Sequence, residues 1–488
     1  MRWLYSLLIL CFCMPVLAQP PLTRLKSAIL KLDQDPVMRS ANWSMTVMDA
    51  RTGKILVNHN GYKSLSTAST MKVVTTITAM DVLGPSFRFA TELQYDGTLG
   101  SDKVLRGNLY IRGDGDPTLG SSRFGDIYET ESLLHLLAEQ IKSQGIERIE
   151  GAIIGDASIF STQLTPPKWS WEDMGNYYGA GAAGLNLNEN LYRLDLKPGT
   201  RVGTPTTVLR TVPHMPDLVF KNEITTGAAG SGDNGYIYGA PYTSIRYLRG
   251  TIPAGYNSFS IKGSIPDPAS FAAYRLREEL IACGITVSGS YGSLRSMGQN
   301  KRNGKRTTFF THYSPTLTEI VEKTNMRSIN LYAEALAKRV AVKLGKIGDT
   351  QEAMGAFKQY WEKKGMNLKG TYMRDGAGLS PNNALSTQVL VQLLKHARNA
   401  PYGKAFTASL PVAGQSGSLK GMFKGTVAVG KISAKSGYIS GTRGYAGYAT
   451  TVKGQPLIFA IISNNYACSA GAMRKKMEPL MRMMVEGN

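Results

Sequence analysis

Short alternating apolar and polar runs lie near both ends of the chain, with stripes at helical spacing between them. Trp43-Ser44-Met45-Thr46-Val47-Met48 and Ile55-Leu56-Val57-Asn58-His59 flank a polar turn, Asp49 to Lys54, and predict a β-hairpin. Val73, Ile77 and Met80 then recur at helical spacing up to the stop Gly84-Pro85. This predicts a half-buried helix opening within Ser66 to Lys72, with Ser69 in its first turn. Ser314-Pro315 predicts another helix start with proline at its first position, and a further helical run from Asn330 follows the interruption at Asn325 to Ile329. Residues 431–437, 442–452 and 456–463 read as strands of an antiparallel meander. The last helix, 472–485, sets Met473, Met477 and Leu480 on one side and Arg474, Lys475 and Lys476 on the other. A core-packing helix with a solvated basic face fits it better than a membrane-surface helix.

The middle of the chain has another texture. Leu105 to Ile111 reads as one strand, and Leu133, Leu134, Leu137 and Ile141 form a helix stripe closed by Gly145. The order returns with a strand at Phe259 to Ile261 and a helix from Asp267-Pro268 through Leu276, Leu280 and Cys283, closed by Gly284. Both helices run into a Gly-Ile step, as two related strand-helix units would. Residues 159–256, rich in glycine, proline, threonine and aromatics, carry no long helical period. The expected organisation is α/β (α+β): an outer domain from 19–85 and 308–488, an inserted domain from 86–158 and 257–307, and a nested β-rich domain at 159–256. A charged linker, Gln299 to Arg306, leads back.

Composition narrows the function classes. The first eighteen residues carry one early charge, Arg2, then an apolar run ending Val16-Leu17-Ala18, so a signal peptide cleaved after Ala18 and export are expected. Lys+Arg number 56 against Asp+Glu 35, a formal +21. Export makes nucleic acid an improbable source of the matching negative charge and leaves a carboxylate-bearing wall polymer or an anionic membrane surface as partner. Outside the signal only Cys283 and Cys468 remain, which excludes a disulfide scaffold; both sit in apolar settings and read as small buried hydrophobes, with a single bridge between them left open. The five histidines are scattered singly, none with zinc-ligand spacing, so no metal or other cofactor is expected.

Ser69-Thr70-Met71-Lys72 is an S-x-x-K at a helix start, which sets both side chains on one face about a turn apart. A serine becomes a nucleophile when its proton is removed, and a lysine held neutral by burial or a second cation does that. Ser328-Ile329-Asn330 is an S-x-N between helices, and Lys435-Ser436-Gly437 a K-[ST]-G on a strand. The three occur in the order of the S-x-x-K, S-x-N, K-T-G set. Asp375 precedes glycine and reads as a turn, while His396 reads as a helix-surface residue without a G-x-S-x-G elbow to serve.

With these motifs the chain resembles the penicillin-binding proteins, specifically the class C low-molecular-mass D-alanyl-D-alanine carboxypeptidase/endopeptidase family. Arg106 to Leu119, Gly263 to Ala269 and Asp375 to Ser380 also look like its recurrent segments, and the long insertion between Ser69 and Ser328 is its hallmark. The resemblance implies a penicillin-recognising serine transpeptidase-like domain, a central antiparallel sheet flanked by helices. It further implies a serine DD-peptidase acting on peptidoglycan stem peptides as carboxypeptidase, endopeptidase or both, acylated by β-lactam antibiotics. Ser69 would be the acylated nucleophile, Lys72 its general base, Ser328 a proton shuttle toward the leaving D-alanine, and Asn330 the group orienting Lys72 and substrate. Lys435 and the Ser436 hydroxyl would receive the terminal carboxylate, and the oxyanion would rest on the N–H groups of Ser69 and Tyr438, the residue after Gly437. Two departures touch substrate fit: Ser436 stands where threonine is commoner, and Tyr438 to Gly441 and Pro381 to Asn383 differ from the family's usual segments. A serine β-lactamase and a non-catalytic wall-binding protein on the same fold are the rival readings.

Overall fold

The computed structural model describes residues 22–298 and 305–487. The signal segment and most of the return linker lie outside the described residues. Along the chain, helix α1 (Thr23–Asp33) leads into the antiparallel hairpin Asn42–Asp49 and Ile55–His59, and then into α2 (Met71–Leu83). After the insertion, which carries α3 (Thr130–Lys142) and α4 (Pro268–Ala282), come α5 (Leu317–Arg327), α6 (Asn330–Lys343), α7 (Thr350–Lys363) and α8 (Thr387–Asn399). Strands Ile432–Ile439, Thr442–Thr450 and Pro456–Asn464 form the meander, and α9 (Ala470–Glu486) ends the chain.

The meander and the N-terminal hairpin make one five-stranded sheet, with Asn42–Asp49 paired antiparallel to Pro456–Asn464 and Ile432–Ile439 at the edge. The run from Leu457 to Ile462 is apolar throughout because both faces are covered. Leu457, Phe459 and Ile461 point to a core shared with α1 and α9; Ile458, Ala460 and Ile462 point to one shared with α2, α6 and α8. The apolar face of α9, Met473, Met477, Leu480, Met481, Met484 and Val485, is buried in the first of these cores.

Helix α2 is not half-buried: every residue from Met71 to Met80 is buried. Thr76 and Thr78 donate to the carbonyls of Lys72 and Val74, and Thr75 to that of Gly376, so their hydroxyls enter the core satisfied. Helix α5 starts two residues later than the proline suggests, capped by Thr316 in a reciprocal capping box with Glu319. Ser314 is instead buried and accepts from the Phe89 N–H at 2.9 Å.

The expected strand Leu105 to Ile111 is broken. Val104–Arg106 and Leu109–Arg112 belong to different sheets, and between them Gly107 lies so close to Asp96 that a Cβ would sit 2.1 Å from its carbonyl oxygen. The Gly-Ile steps after α3 and α4 feed equivalent short strands, Arg148–Ile149 and Thr286–Val287, which pair in parallel. One continuous hydrophobic core joins both helices to Leu194, Ile237 and Leu248 of the 159–256 segment.

Helix α6 fastens the insertion to the sheet-bearing part. Buried Lys338 donates to the carbonyls of Gln163 at 2.7 Å, Ala182 at 2.8 Å and Leu164 at 3.2 Å. Tyr332 donates to Glu189, and Arg339 pairs with Asp114. Lys338→Met strips buried carbonyls of their donor, each such loss costing about 1–3 kcal/mol. Calorimetry should show the melting transition several degrees lower.

Candidate active site

Ser69 lies in a single 3-10 turn, Ala68–Thr70, that runs into α2. The turn is fixed by the Thr70 hydroxyl, which donates to the Thr67 carbonyl at 2.6 Å, and by Ala68 in a left-handed conformation at φ 44°. Such a φ strains a residue with a Cβ and persists only where the surroundings enforce it.

Lys72 is fully buried one turn on. Its Nζ donates to Asn330 Oδ1 and to the Ala377 carbonyl, both at 2.6 Å, and lies 3.1 Å from Ser69 Oγ. A neutral amine has two hydrogens, and here two carbonyl oxygens take them. The lone pair is left for the Ser69 hydroxyl proton. Burial brings the pKa of Lys72 down to about 7, against the opposing pull of Asp375 and Glu334. Lys435, also fully buried, is held well below its ordinary range, first by burial and then by the charge of Lys72.

Ser328 caps the C-terminus of α5 at φ 60°, and its hydroxyl accepts from Lys435 Nζ at 2.9 Å. Lys435 Nζ also donates to the Ser436 carbonyl at 2.7 Å. Asn330 opens α6 and donates through Nδ2 to the Tyr178 carbonyl at 2.8 Å, so the insertion reaches the site. On the edge strand, Lys435 and Gly437 share the face turned to Ser69 by the two-residue period of a strand. Any Cβ at Gly437 would meet Thr67 O at 2.7 Å and Thr70 N at 2.9 Å, so only glycine lets the strand approach this closely. Ser436 Oγ is 2.7 Å from Ser418 Oγ, and the exposed Tyr438 ring lies 5.1 Å from the Arg443 guanidinium carbon.

All the motif residues are thus brought to one place: Ser69, Lys72 and Asn330 form one hydrogen-bonded set and Ser328, Lys435 and Ser436 a second beside it. Sequence reasoning missed Ala377, Tyr178, Ser418 and Trp169. The first two contribute backbone carbonyls, which leave no side-chain signature. Asp375 does not touch Ser69; its buried carboxylate accepts from Gly378 N, Ser380 N, Asn383 Nδ2 and Trp169 Nε1 and so shapes the loop that presents the Ala377 carbonyl. His396 stands apart, with Nε2 3.0 Å from Asp81 Oδ1 and its ring edge-on to Trp361.

The cysteine expectation needs correction at both positions. Both thiols are free and only partly buried: Cys468 packs against the core shared with α1 and α9, and Cys283 packs against the core of the insertion while its thiol faces His135 and Glu279. Those three form the single His, Cys and carboxylate grouping with metal-holding separations among the described residues, remote from the motif set.

The D-Ala-D-Ala carboxypeptidase 3 (S13) family model matches residues 25–486. A D-alanyl-D-alanine carboxypeptidase from Actinomadura sp. (strain R39) is 28% identical over 91% of this chain and 82% of its own. The crystal structure of penicillin binding protein 4 (dacB) from Haemophilus influenzae superposes with a TM-score of 0.80 at 23% identity, covering 93% of this chain and 97% of that one. A second structure of that protein, complexed with a β-lactam, has a TM-score of 0.75 at 21% identity over 94% and 98% of the two chains.

Proposed function

The chain belongs to the D-Ala-D-Ala carboxypeptidase 3 (S13) family and is a serine-type DD-peptidase, and from that premise we propose how its residues divide the reaction. Ser69 Oγ attacks the carbonyl carbon of the penultimate D-alanine of a peptidoglycan stem peptide while Lys72 Nζ takes its proton. The observation that carries this reading is the buried amine 3.1 Å from the hydroxyl with both its hydrogens engaged by Asn330 and Ala377. The tetrahedral oxyanion rests on the N–H groups of Ser69 and Tyr438. As the C–N bond breaks, Ser328 gives its hydroxyl proton to the departing amine and is reprotonated with the proton that Lys72 took from Ser69, so that Lys72, neutral again, takes a proton from the water that releases the acyl group and returns it to Ser69 Oγ. Lys435, Ser436 and Ser418 receive the free carboxylate at the substrate C-terminus, with Asn330 orienting the peptide. A β-lactam enters the same path and stops at the acyl-enzyme.

Carboxypeptidase and endopeptidase action share this one centre. Free D-alanine released from a pentapeptide stem, and monomers released from a cross-linked dimer, both blocked by penicillin, are expected; release of neither would overturn the reading. Export, with cleavage after Ala18, fits a substrate outside the cytoplasm; no helix among the described residues is long and apolar enough to cross a membrane. The apolar side of α9 is occupied by the protein core, so any contact with an anionic membrane is electrostatic, through basic side chains such as the exposed Lys475.

The pH profile follows from Lys72. A base must be neutral to accept a proton, and the neutral fraction grows as pH climbs through about 7. The second-order acylation rate with benzylpenicillin is expected to rise about tenfold per unit on the acid side and to level off above that value. A rate still climbing at pH 9 would mean that the base has an ordinary lysine pKa.

A further inference from the structure

Helices α3 and α4 pack side by side in the core of the insertion and meet at their surface through three chemically distinct side chains. His135 Nδ1 lies 3.1 Å from Glu279 Oε1, Cys283 Sγ 3.4 Å from the same oxygen and 3.8 Å from His135 Nδ1. Around a tetrahedral ion with bonds of about 2.0–2.3 Å, ligand atoms stand about 3.3–3.8 Å apart. The triangle already has that size. Glu279 and Cys283 are four residues apart on one face of α4, and His135 comes from the other helix.

We infer that His135, Glu279 and Cys283 form a surface site for a divalent metal of the zinc class that staples α3 to α4. Imidazole, thiolate and carboxylate together select zinc and its neighbours over calcium and magnesium, which take oxygen. A deprotonated thiol and a carboxylate neutralise a doubly charged ion. Two further features favour a cation: Cys283 caps the C-terminus of α4, the negative end of its dipole, and Glu139, one turn beyond His135, adds negative charge, opposed by Lys142. The His135 side chain is 64% exposed, so the ion has a path in and a water can complete the shell. None of the three residues touches the catalytic set, so the site acts on the insertion and not on acylation.

Cobalt(II) titration of the reduced enzyme tests this. One equivalent should bind with a thiolate-to-cobalt charge-transfer band in the near ultraviolet, which zinc(II) displaces. The band should vanish in Cys283→Ser, and affinity should fall at least about tenfold in His135→Ala. Zinc should raise the Tm of the unmodified enzyme by a few degrees and leave that of Cys283→Ser unchanged. Both variants should acylate with penicillin at the unmodified rate, which shows that they are folded. No band in the unmodified enzyme, a band of equal strength in Cys283→Ser, or a zinc-insensitive Tm would each overturn the site.

Discussion

Ser69→Ala should form no covalent adduct with a fluorescent penicillin on a denaturing gel, and its release of D-alanine should fall by on the order of 10⁴-fold or more. Every later step runs through the acyl-enzyme, and without Oγ no acyl group is held. The variant should fold normally, since Ser69 is only partly buried and its side chain bonds to Lys72, which keeps Asn330 and Ala377 as partners. An unchanged Tm with no label is the expected pair of results. Stoichiometric labelling of the variant would place the nucleophile elsewhere.

Lys72→Ala should slow acylation by about 10²–10⁴-fold, the usual range for removal of a general base. A second signature separates loss of the base from general disruption: the rise in rate through pH 7 should disappear with the amine, leaving a flat residual rate. A merely deformed site would keep the slope at lower amplitude. Lys435, 2.9 Å from Ser328 and itself depleted of charge by burial, is the nearest substitute. A variant that kept the limb but moved it would assign the base role to that residue.

The parts of this site visible in the sequence are those written as side chains at short spacing: Ser69 with Lys72, Ser328 with Asn330, and Lys435 with Ser436 and Gly437. The alternating strands and the stripes of the longer helices were legible for the same reason, each being set by a local period. What depended on distant backbone was not. The Ala377 carbonyl that fixes Lys72 comes from 305 positions away, and any residue could supply it. The full burial of α2 was not legible either, since nothing local says that the hydroxyls of Thr75, Thr76 and Thr78 find carbonyl partners inside the core. His135 lies 144 residues from Glu279, so a search by spacing finds only the half of the cluster on α4.

The pairing of Asn42–Asp49 with Pro456–Asn464 also bears on how the enzyme comes into being. The first strand of the sheet has no partner on its inner side until Pro456–Asn464, some four hundred residues on, has emerged, and Lys435 arrives almost as late. Contacts of such long sequence separation form slowly and last. A nascent chain carrying Ser69 and Lys72 therefore lacks a complete catalytic set until Lys435 and the strand Pro456–Asn464 have been made, and the capacity to cut the wall depends on joining these distant segments.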